Sequence, residues 1–412
     1  MTKFIATRNG RVSMLALMIA SAAVIAVGVF IVFRRDSDPF RADAIVDPPF
    51  TSLTYSIQAF LWWDVNGRSG THMDWVKLLG FSHVKQTFAW KDVEPIPGHW
   101  FFTEGDRILN ELERRNISLI VRLTDTPDWA HPSLPPIAEG GYIDAPPDHL
   151  DDWANYCRTV ADRYKGRVAA YQIWNEPNLS REWGGKAPDA AGYVEMLRRC
   201  SDEIRAVDPD AILISAGLSP TGQDDAIAQR DDLYLQRMYD LDFQQYIDVV
   251  GVHAPGFAPP EYGPDDAERD GRGRWATFRR VEDLREIMVK NGDAARQMAI
   301  LEVGYTTDQT NPVYSWFAVT EEEQADMMVR AYRYAAEHWR PWVGLMSTIY
   351  IANPNWTQEN EEFWWAIDQP RSWVTRPVFA ALTQMEKYCG DIIVPDRYSE
   401  DSSVAREYNP CH

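Results

Sequence analysis

One stretch constrains this chain more than any other: Tyr171-Gln172-Ile173-Trp174-Asn175-Glu176-Pro177-Asn178. β-Branched and aromatic residues carry it as a strand up to Trp174. Pro177 has no amide hydrogen to give a ladder and restricts the residue before it, so a loop begins there. Ala169, Ala170 and Ile173 make the strand apolar on both faces, as a parallel sheet requires. Glu176 therefore stands where a strand leaves a sheet. In a (β/α)8 TIM barrel this is the C-terminal mouth, where barrel enzymes hold their reacting groups. The 412 residues accommodate one barrel of about 250 residues with long loop insertions, and a second full domain would crowd it.

A second strand, Gln297-Met298-Ala299-Ile300-Leu301-Glu302-Val303-Gly304-Tyr305, also ends on a glutamate. Trp174-Asn175-Glu176-Pro177-Asn178 resembles the acid/base motif of clan A glycoside hydrolases, the retaining (β/α)8-barrel glycosidases, with family 39 the nearer pattern and family 5 next. The resemblance implies that Glu176 protonates the leaving-group oxygen and that Asn175 holds the sugar 2-hydroxyl. Glu302, at the end of the seventh strand, is then the nucleophile. The two carboxylates are 126 residues apart, three βα units of 42, which suits strands four and seven. The implied substrate is a carbohydrate, and the chemistry needs no metal or organic cofactor.

Other segments fit the same pattern. Trp90-Lys91-Asp92-Val93-Glu94-Pro95-Ile96-Pro97-Gly98-His99-Trp100 resembles the loop after strand two in families 5, 39 and 42. Trp90 either lines the cleft or packs under this loop, and Glu94 holds the loop in place. Thr126-Pro127-Asp128-Trp129-Ala130 resembles the clan loop that carries an aromatic, here Trp129, toward the sugar. Gly251-Val252-His253-Ala254-Pro255 resembles the strand-six end, where His253 reaches the carboxylates or is simply structural. Pro255 stands where the clan often has an aromatic, so the nucleophile's phenol partner is open, with Tyr305 a candidate. Arg122 either orients a catalytic carboxylate or forms a structural ion pair. Trp183 is a candidate stacking platform. The clan places a Trp near the end of strand eight, and Trp356, Trp364 and Trp365 compete for that role.

Strands are expected over 55–61, 83–88, 117–123, 171–174, 211–216, 247–253, 297–303 and 343–350. Helices are expected over 71–79, from 106, and over 149–164, 187–207, 232–241 and 277–290. A further helix starts at 321 behind a Thr320/Glu323 capping box, and the last runs over 376–389. Three long loops, 131–147, 257–274 and 306–319, far exceed the usual connection of about 4–6 residues and fall on the barrel's top face.

Before the barrel, an uncharged run from Val12 to Phe33 lies between Lys3, Arg8 and Arg11 on one side and Arg34 and Arg35 on the other. It is long enough for a membrane helix of about 20 apolar residues. The expected organisation is a cytoplasmic N-terminus (1–11), a transmembrane signal anchor (12–33), a linker (34–50), the barrel (51–395) and a C-terminal tail (396–412). The basic side chains weakly favour an extracytoplasmic catalytic domain. Cleavage within Ala20-Ser21-Ala22-Ala23 would instead release it. Cys157 with Cys200, or Cys389 with Cys411, could form a disulfide, or the cysteines are buried thiols.

The net charge of −20 argues against nucleic acid as a partner, and 17 tryptophans suit a surface that stacks on sugar rings. A transglycosylase, in which a sugar replaces water as acceptor, remains an alternative. So does a non-catalytic glycan-binding or exopolysaccharide accessory protein. The pairing of both glutamates in one register argues against the non-catalytic reading.

Overall fold

The computed structural model describes residues 40, 44–63, 69–134, 144–389 and 392–394. The expected anchor over 12–33 lies outside the described residues. Among the described residues no helix is long and apolar enough to cross a membrane.

Eight parallel strands close into a barrel in sequence order: β1 Thr54–Gln58, β2 His83–Ala89, β3 Ser118–Thr124, β4 Ala170–Ile173, β5 Ile212–Ser215, β6 Val249–His253, β7 Gln297–Val303 and β8 Val343–Thr348. The expected strands are all present, with ends that move by up to three residues. The helices around them include α1 Ser69–Leu78, α2 Trp90–Val93, α3 Thr103–Glu113, α4 Leu150–Tyr164, α5 Ala190–Val207, α6 Asp231–Asp240, α7 Pro264–Arg269, α8 Arg280–Lys290, α9 Glu321–His338 and α10 Pro377–Gln384. The capping box forms as read. Thr320 Oγ1 accepts from the Glu323 amide at 3.1 Å, and Glu323 Oε2 accepts from the Thr320 amide at 2.8 Å.

The barrel interior is filled by small and branched side chains from alternate strand positions: Ile120, Ala170, Ile214, Val249, Ala299, Leu301 and Leu345. Phe50 joins this cluster. Its amide donates to Gln297 Oε1 at 3.0 Å, and Gln297 Nε2 returns a bond to the Phe50 carbonyl at 3.0 Å. The linker expected to run to residue 50 therefore stops short of Phe50, which is core.

Two more expectations change. The helix expected over 376–389 ends at Gln384, and Lys387–Cys389 (β9) pairs antiparallel with Ile392–Val394 (β10). Gly390-Asp391 between these runs is a two-residue hairpin pattern, which competes with a helix stop. The loop over 257–274 contains α7, and Arg274 pins it through Asp265 at 2.5 Å, Glu268 at 3.0 Å and Asp283 at 2.6 Å.

Cys157 and Cys200 form a disulfide that links α4 to α5, deciding among the open cysteine alternatives for this pair. Between α6 and α8, buried Arg280 grips buried Asp231 with Nε–Oδ2 at 2.9 Å and Nη2–Oδ1 at 2.8 Å. Arg280→Ala leaves the Asp231 carboxylate without its bidentate partner. The expected loss is about 3–5 kcal/mol, read from the denaturant midpoint. A loss under about 1 kcal/mol would show that water or Arg230 replaces the guanidinium.

Candidate active site

The site is built at the C-terminal ends of β3, β4, β6 and β7, and Lys85 reaches it from within β2. After β4 the backbone leaves the extended region twice, at Trp174 (φ +70°) and Glu176 (φ +37°). Left-handed conformations in non-glycine residues persist only where surrounding structure enforces them. Here Trp174 is fully buried with its ring edge-on to Trp153, and the Glu176 amide donates to the Gly217 carbonyl at 3.1 Å. Asn178 ties the loop to its neighbour, donating to the carbonyls of Ser219 and Gln229 and accepting from the Ser219 amide. The Glu176 carboxylate is thereby turned over the barrel mouth.

Glu302 arrives by a different route. Ala299 and Leu301 face the core, so unbroken alternation would send Glu302 outward. The register between β6 and β7 shifts at Val252/His253, and that between β7 and β8 shifts between Ile300 and Val303. Such an irregularity re-aims a side chain, and Glu302 turns inward beside His253.

His253 joins the two carboxylates. Its Nδ1 lies 3.0 Å from Glu176 Oε1 and 3.7 Å from Glu302 Oε2. One ligand-type atom from each of the three residues lies within 4.8 Å of the others. The ring fits because Gly217 has no side chain, since a Cβ there would lie 2.1 Å from His253 Cδ2. Lys85 Nζ donates to the Leu301 carbonyl at 2.6 Å and stands 3.4 Å from Glu302 Oε1. Arg122 Nη1 stands 3.5 Å from the same oxygen and donates to Asn175 Oδ1 at 3.2 Å. An arginine can only donate, so Oδ1 must face it, which leaves Asn175 Nδ2 as the donor toward a ligand. Nδ2 lies 3.4 Å from buried Glu182. Arg181 Nη2 donates to Glu176 Oε2 at 2.6 Å.

These contacts set the protonation states. Burial pushes the Glu176 carboxyl up, but Arg181 and then His253 outweigh it and hold it well below the usual carboxylate range. Burial likewise opposes ionisation of Glu302, yet His253, Lys85 and Arg122 keep it below its ordinary value. Burial drives Lys85 down to about 7 and carries Glu182 well above the carboxylate range. The trio of Glu176, His253 and Glu302 is the group among the described residues whose atoms could hold a metal ion. Lys85, Arg122 and Arg181 already neutralise the same oxygens, so the donor set does not call for one.

A pH dependence of stability follows. Both folded carboxylates titrate below the ordinary glutamate value of 4.5, so below that value the unfolded chain binds more protons than the folded one. Their contribution is complete above the ordinary value and is lost as pH falls through the folded one. The thermal midpoint of the Glu176→Gln variant should therefore fall less than wild type between about pH 5 and about pH 3. Parallel curves would mean that neither neighbour holds Glu176 ionised.

The structure brings Glu176, Glu302, Asn175, Arg122 and His253 together, and Arg122 faces Glu302 and Asn175. Other expected site residues lie elsewhere. Trp90 is fully buried under the β2 loop, stacked on Tyr156 with its Nε1 on Glu94 at 2.8 Å, so it packs and does not line the cleft. Trp129 is partly exposed, with Nε1 on the Glu94 carbonyl at 2.9 Å. Trp183 is buried and bonded to the Pro177 carbonyl, which makes it a support for the Glu176 loop and not a stacking platform. Tyr305 is buried against Gly256 with no hydrogen-bond partner for its hydroxyl among the described residues, so it is not the expected phenol partner of Glu302. Tyr350, just past β8, has Glu302 as its foremost charged neighbour and stands nearer that role. Trp356 packs behind it, 5.2 Å from the Tyr350 ring centre and 4.6 Å from that of Phe60.

Sequence reasoning missed Lys85, Arg181 and Tyr350. A lysine inside the apolar run of β2 was a usable signal, because lysine is almost never fully buried without a partner. Arg181 carried no comparable signal.

Comparison with solved structures decides the fold relationship. A family 39 glycoside hydrolase from Bacteroides cellulosilyticus WH2 matches at TM-score 0.58 and 19% identity, covering 82% of this chain and 64% of that one. The chain shares its fold with the clan A glycoside hydrolases. A family 39 enzyme from Xanthomonas axonopodis pv. citri matches at TM-score 0.56 and 15% identity, over 83% of this chain and 67% of that one. Xylanase 10B from Thermotoga maritima matches at TM-score 0.52 and 14% identity, over 83% and 95%. The chain spans less than two thirds of the length of the first of these structures. No protein-family model and no curated protein matches the sequence.

Proposed function

We propose that the chain is a retaining glycoside hydrolase that cleaves a β-linked oligo- or polysaccharide by double displacement. The observation that carries this reading is the Glu176–Glu302 pair, with carboxylate oxygens within 4.8 Å of each other. Retaining glycosidases keep their carboxyl groups about 5–5.5 Å apart, whereas inverting ones need about 6.5–9.5 Å to admit a water.

Glu302 attacks the anomeric carbon as the bond to the leaving oxygen breaks, and Glu176 gives that oxygen a proton. Glu176 then takes a proton from water as the water displaces Glu302. Lys85 and Arg122 keep Glu302 ionised for attack. Asn175 Nδ2 donates to the 2-hydroxyl, an interaction that strengthens in the transition state. Partly exposed Trp129 and Trp356 supply apolar faces near the mouth.

The N-terminal apolar run and the Cys157–Cys200 disulfide support an extracytoplasmic, membrane-anchored placement, since disulfides persist in oxidising compartments. The test is hydrolysis of a panel of aryl β-glycosides and β-linked polysaccharides by the fragment from Asp36 onward, with the product anomer read by proton NMR. Retained configuration supports the proposal and an inverted product overturns it. Glycan binding without turnover would favour a non-catalytic role.

A further inference from the structure

Arg181 conflicts with the role given to Glu176. A general acid must carry a proton, yet Arg181 sits 2.6 Å from Glu176 Oε2 and keeps the carboxyl ionised. The other charged or titratable groups around Glu176 do not resolve this. His253 of β6 also favours the anion, as does Lys85 of β2 through its charge. Glu302 of β7 opposes it but is itself neutralised by Lys85 and Arg122. Glu182, beside Arg181, and Glu361, after β8, are near enough to feel Arg181, but burial drives the first well up and the second to about 7. Among these carboxylates it is Glu176 that the guanidinium bonds, at 2.6 Å.

Three observations point to what does. Glu176 contacts the leaving oxygen in the proposed reaction, so the guanidinium bonded to it borders the leaving-group sugar. The Arg181 side chain is 40% exposed whereas that of Glu176 is 9% exposed, so part of the arginine already meets solvent. Finally, one edge of the guanidinium is half used. Nη2 is bonded to Glu176, while the adjacent Nε is buried without a partner among the described residues. A planar carboxylate fills such an edge with two parallel hydrogen bonds.

We propose that Arg181 binds a carboxylate on the leaving-group part of the substrate, a uronate residue, and that passing its guanidinium from Glu176 to that carboxylate lets Glu176 hold a proton. This rests on the retaining-glycosidase reading. The proton comes from solvent, resides on Glu176 while the uronate occupies Arg181, and departs on the leaving oxygen as the glycosidic bond breaks. Arg181 is thus a specificity-determining residue for an acidic glycan.

The experiment measures binding, not turnover. Methyl β-D-glucuronoside, galacturonoside and mannuronoside are titrated into the full chain against their uncharged carboxamides, in wild type, Arg181→Met and Arg181→Lys. At least one uronoside should bind wild type about tenfold or more tightly than its carboxamide. That preference should vanish in Arg181→Met and survive in part in Arg181→Lys, which keeps the charge without the fork. The Glu176 carboxyl signal in ¹³C NMR, assigned by its loss in Glu176→Gln, should titrate at higher pH with the uronoside bound. Equal binding of acid and amide for all three sugars overturns the proposal, as does a preference that persists in Arg181→Met. If the carboxylate preference holds while no glycan is hydrolysed, the anion site stands and the glycosidase reading falls.

Discussion

Glu302→Gln is expected to lower kcat/KM by about 10⁵-fold, roughly 7 kcal/mol of transition-state stabilisation, in a chain that stays folded with a somewhat lower thermal midpoint at neutral pH. The size follows from the role. An amide has no electron pair able to form the glycosyl-enzyme, so the double displacement loses its first bond. Its shape is retained, so Lys85 and Arg122, at 3.4 and 3.5 Å from Oε1, still meet an oxygen. The loss is therefore chemical, not structural. Glu302→Ala, which opens space where the carboxylate stood, should accept azide from solution and release a glycosyl azide of inverted configuration. The measurement is kcat/KM with the anomer of each product. Residual activity above about one hundredth of wild type with retained configuration would remove Glu302 from the nucleophile's role.

Glu176→Ala should show a loss that depends on the leaving group. For a sugar or alkyl leaving group, general-acid catalysis is worth about 10²–10⁴-fold and that is the expected fall. For a strongly acidic aryl leaving group the first step needs no proton, so the glycosyl-enzyme should accumulate as a burst and its slow hydrolysis should limit turnover. Azide should restore turnover and yield a glycosyl azide of retained configuration, because it needs no base to deprotonate it. Loss of Glu176 also frees Arg181 and removes one partner of His253. A structural defect from those lost contacts would depress all substrates alike. Equal losses across leaving groups of different acidity would therefore count against the acid/base role.

Much of this site was legible because it hangs on strand ends. Pro177 and the apolar run before it mark where β4 stops, and the residue at that point is Glu176. The same logic located His253 at the end of β6 and Glu302 near the end of β7. The tryptophans were less legible. Trp90 and Trp183 look like cleft residues because they sit in top-face loops. Whether a loop ring faces outward depends on what lies under it, and here Tyr156 and the Pro177 carbonyl draw the rings inward. The same composition outside, at Trp316, leaves a ring 52% exposed.

The sequence by itself determined the order of strands and helices, because alternating apolar runs with prolines and glycines between them specify βα units through local geometry and burial pattern. It also determined which carboxylates stand at strand ends. Only the tertiary structure decided their electrostatics. Lys85 on β2 and Arg122 on β3 meet Glu302 from 217 and 180 residues away. Closing the barrel is what brings these strands within a few ångströms at the mouth. Alternation along β7 points Glu302 outward, and the register shifts against β6 and β8 turn it in. No local pattern encodes that shift, because it arises from how neighbouring strands accommodate one another around a closed sheet.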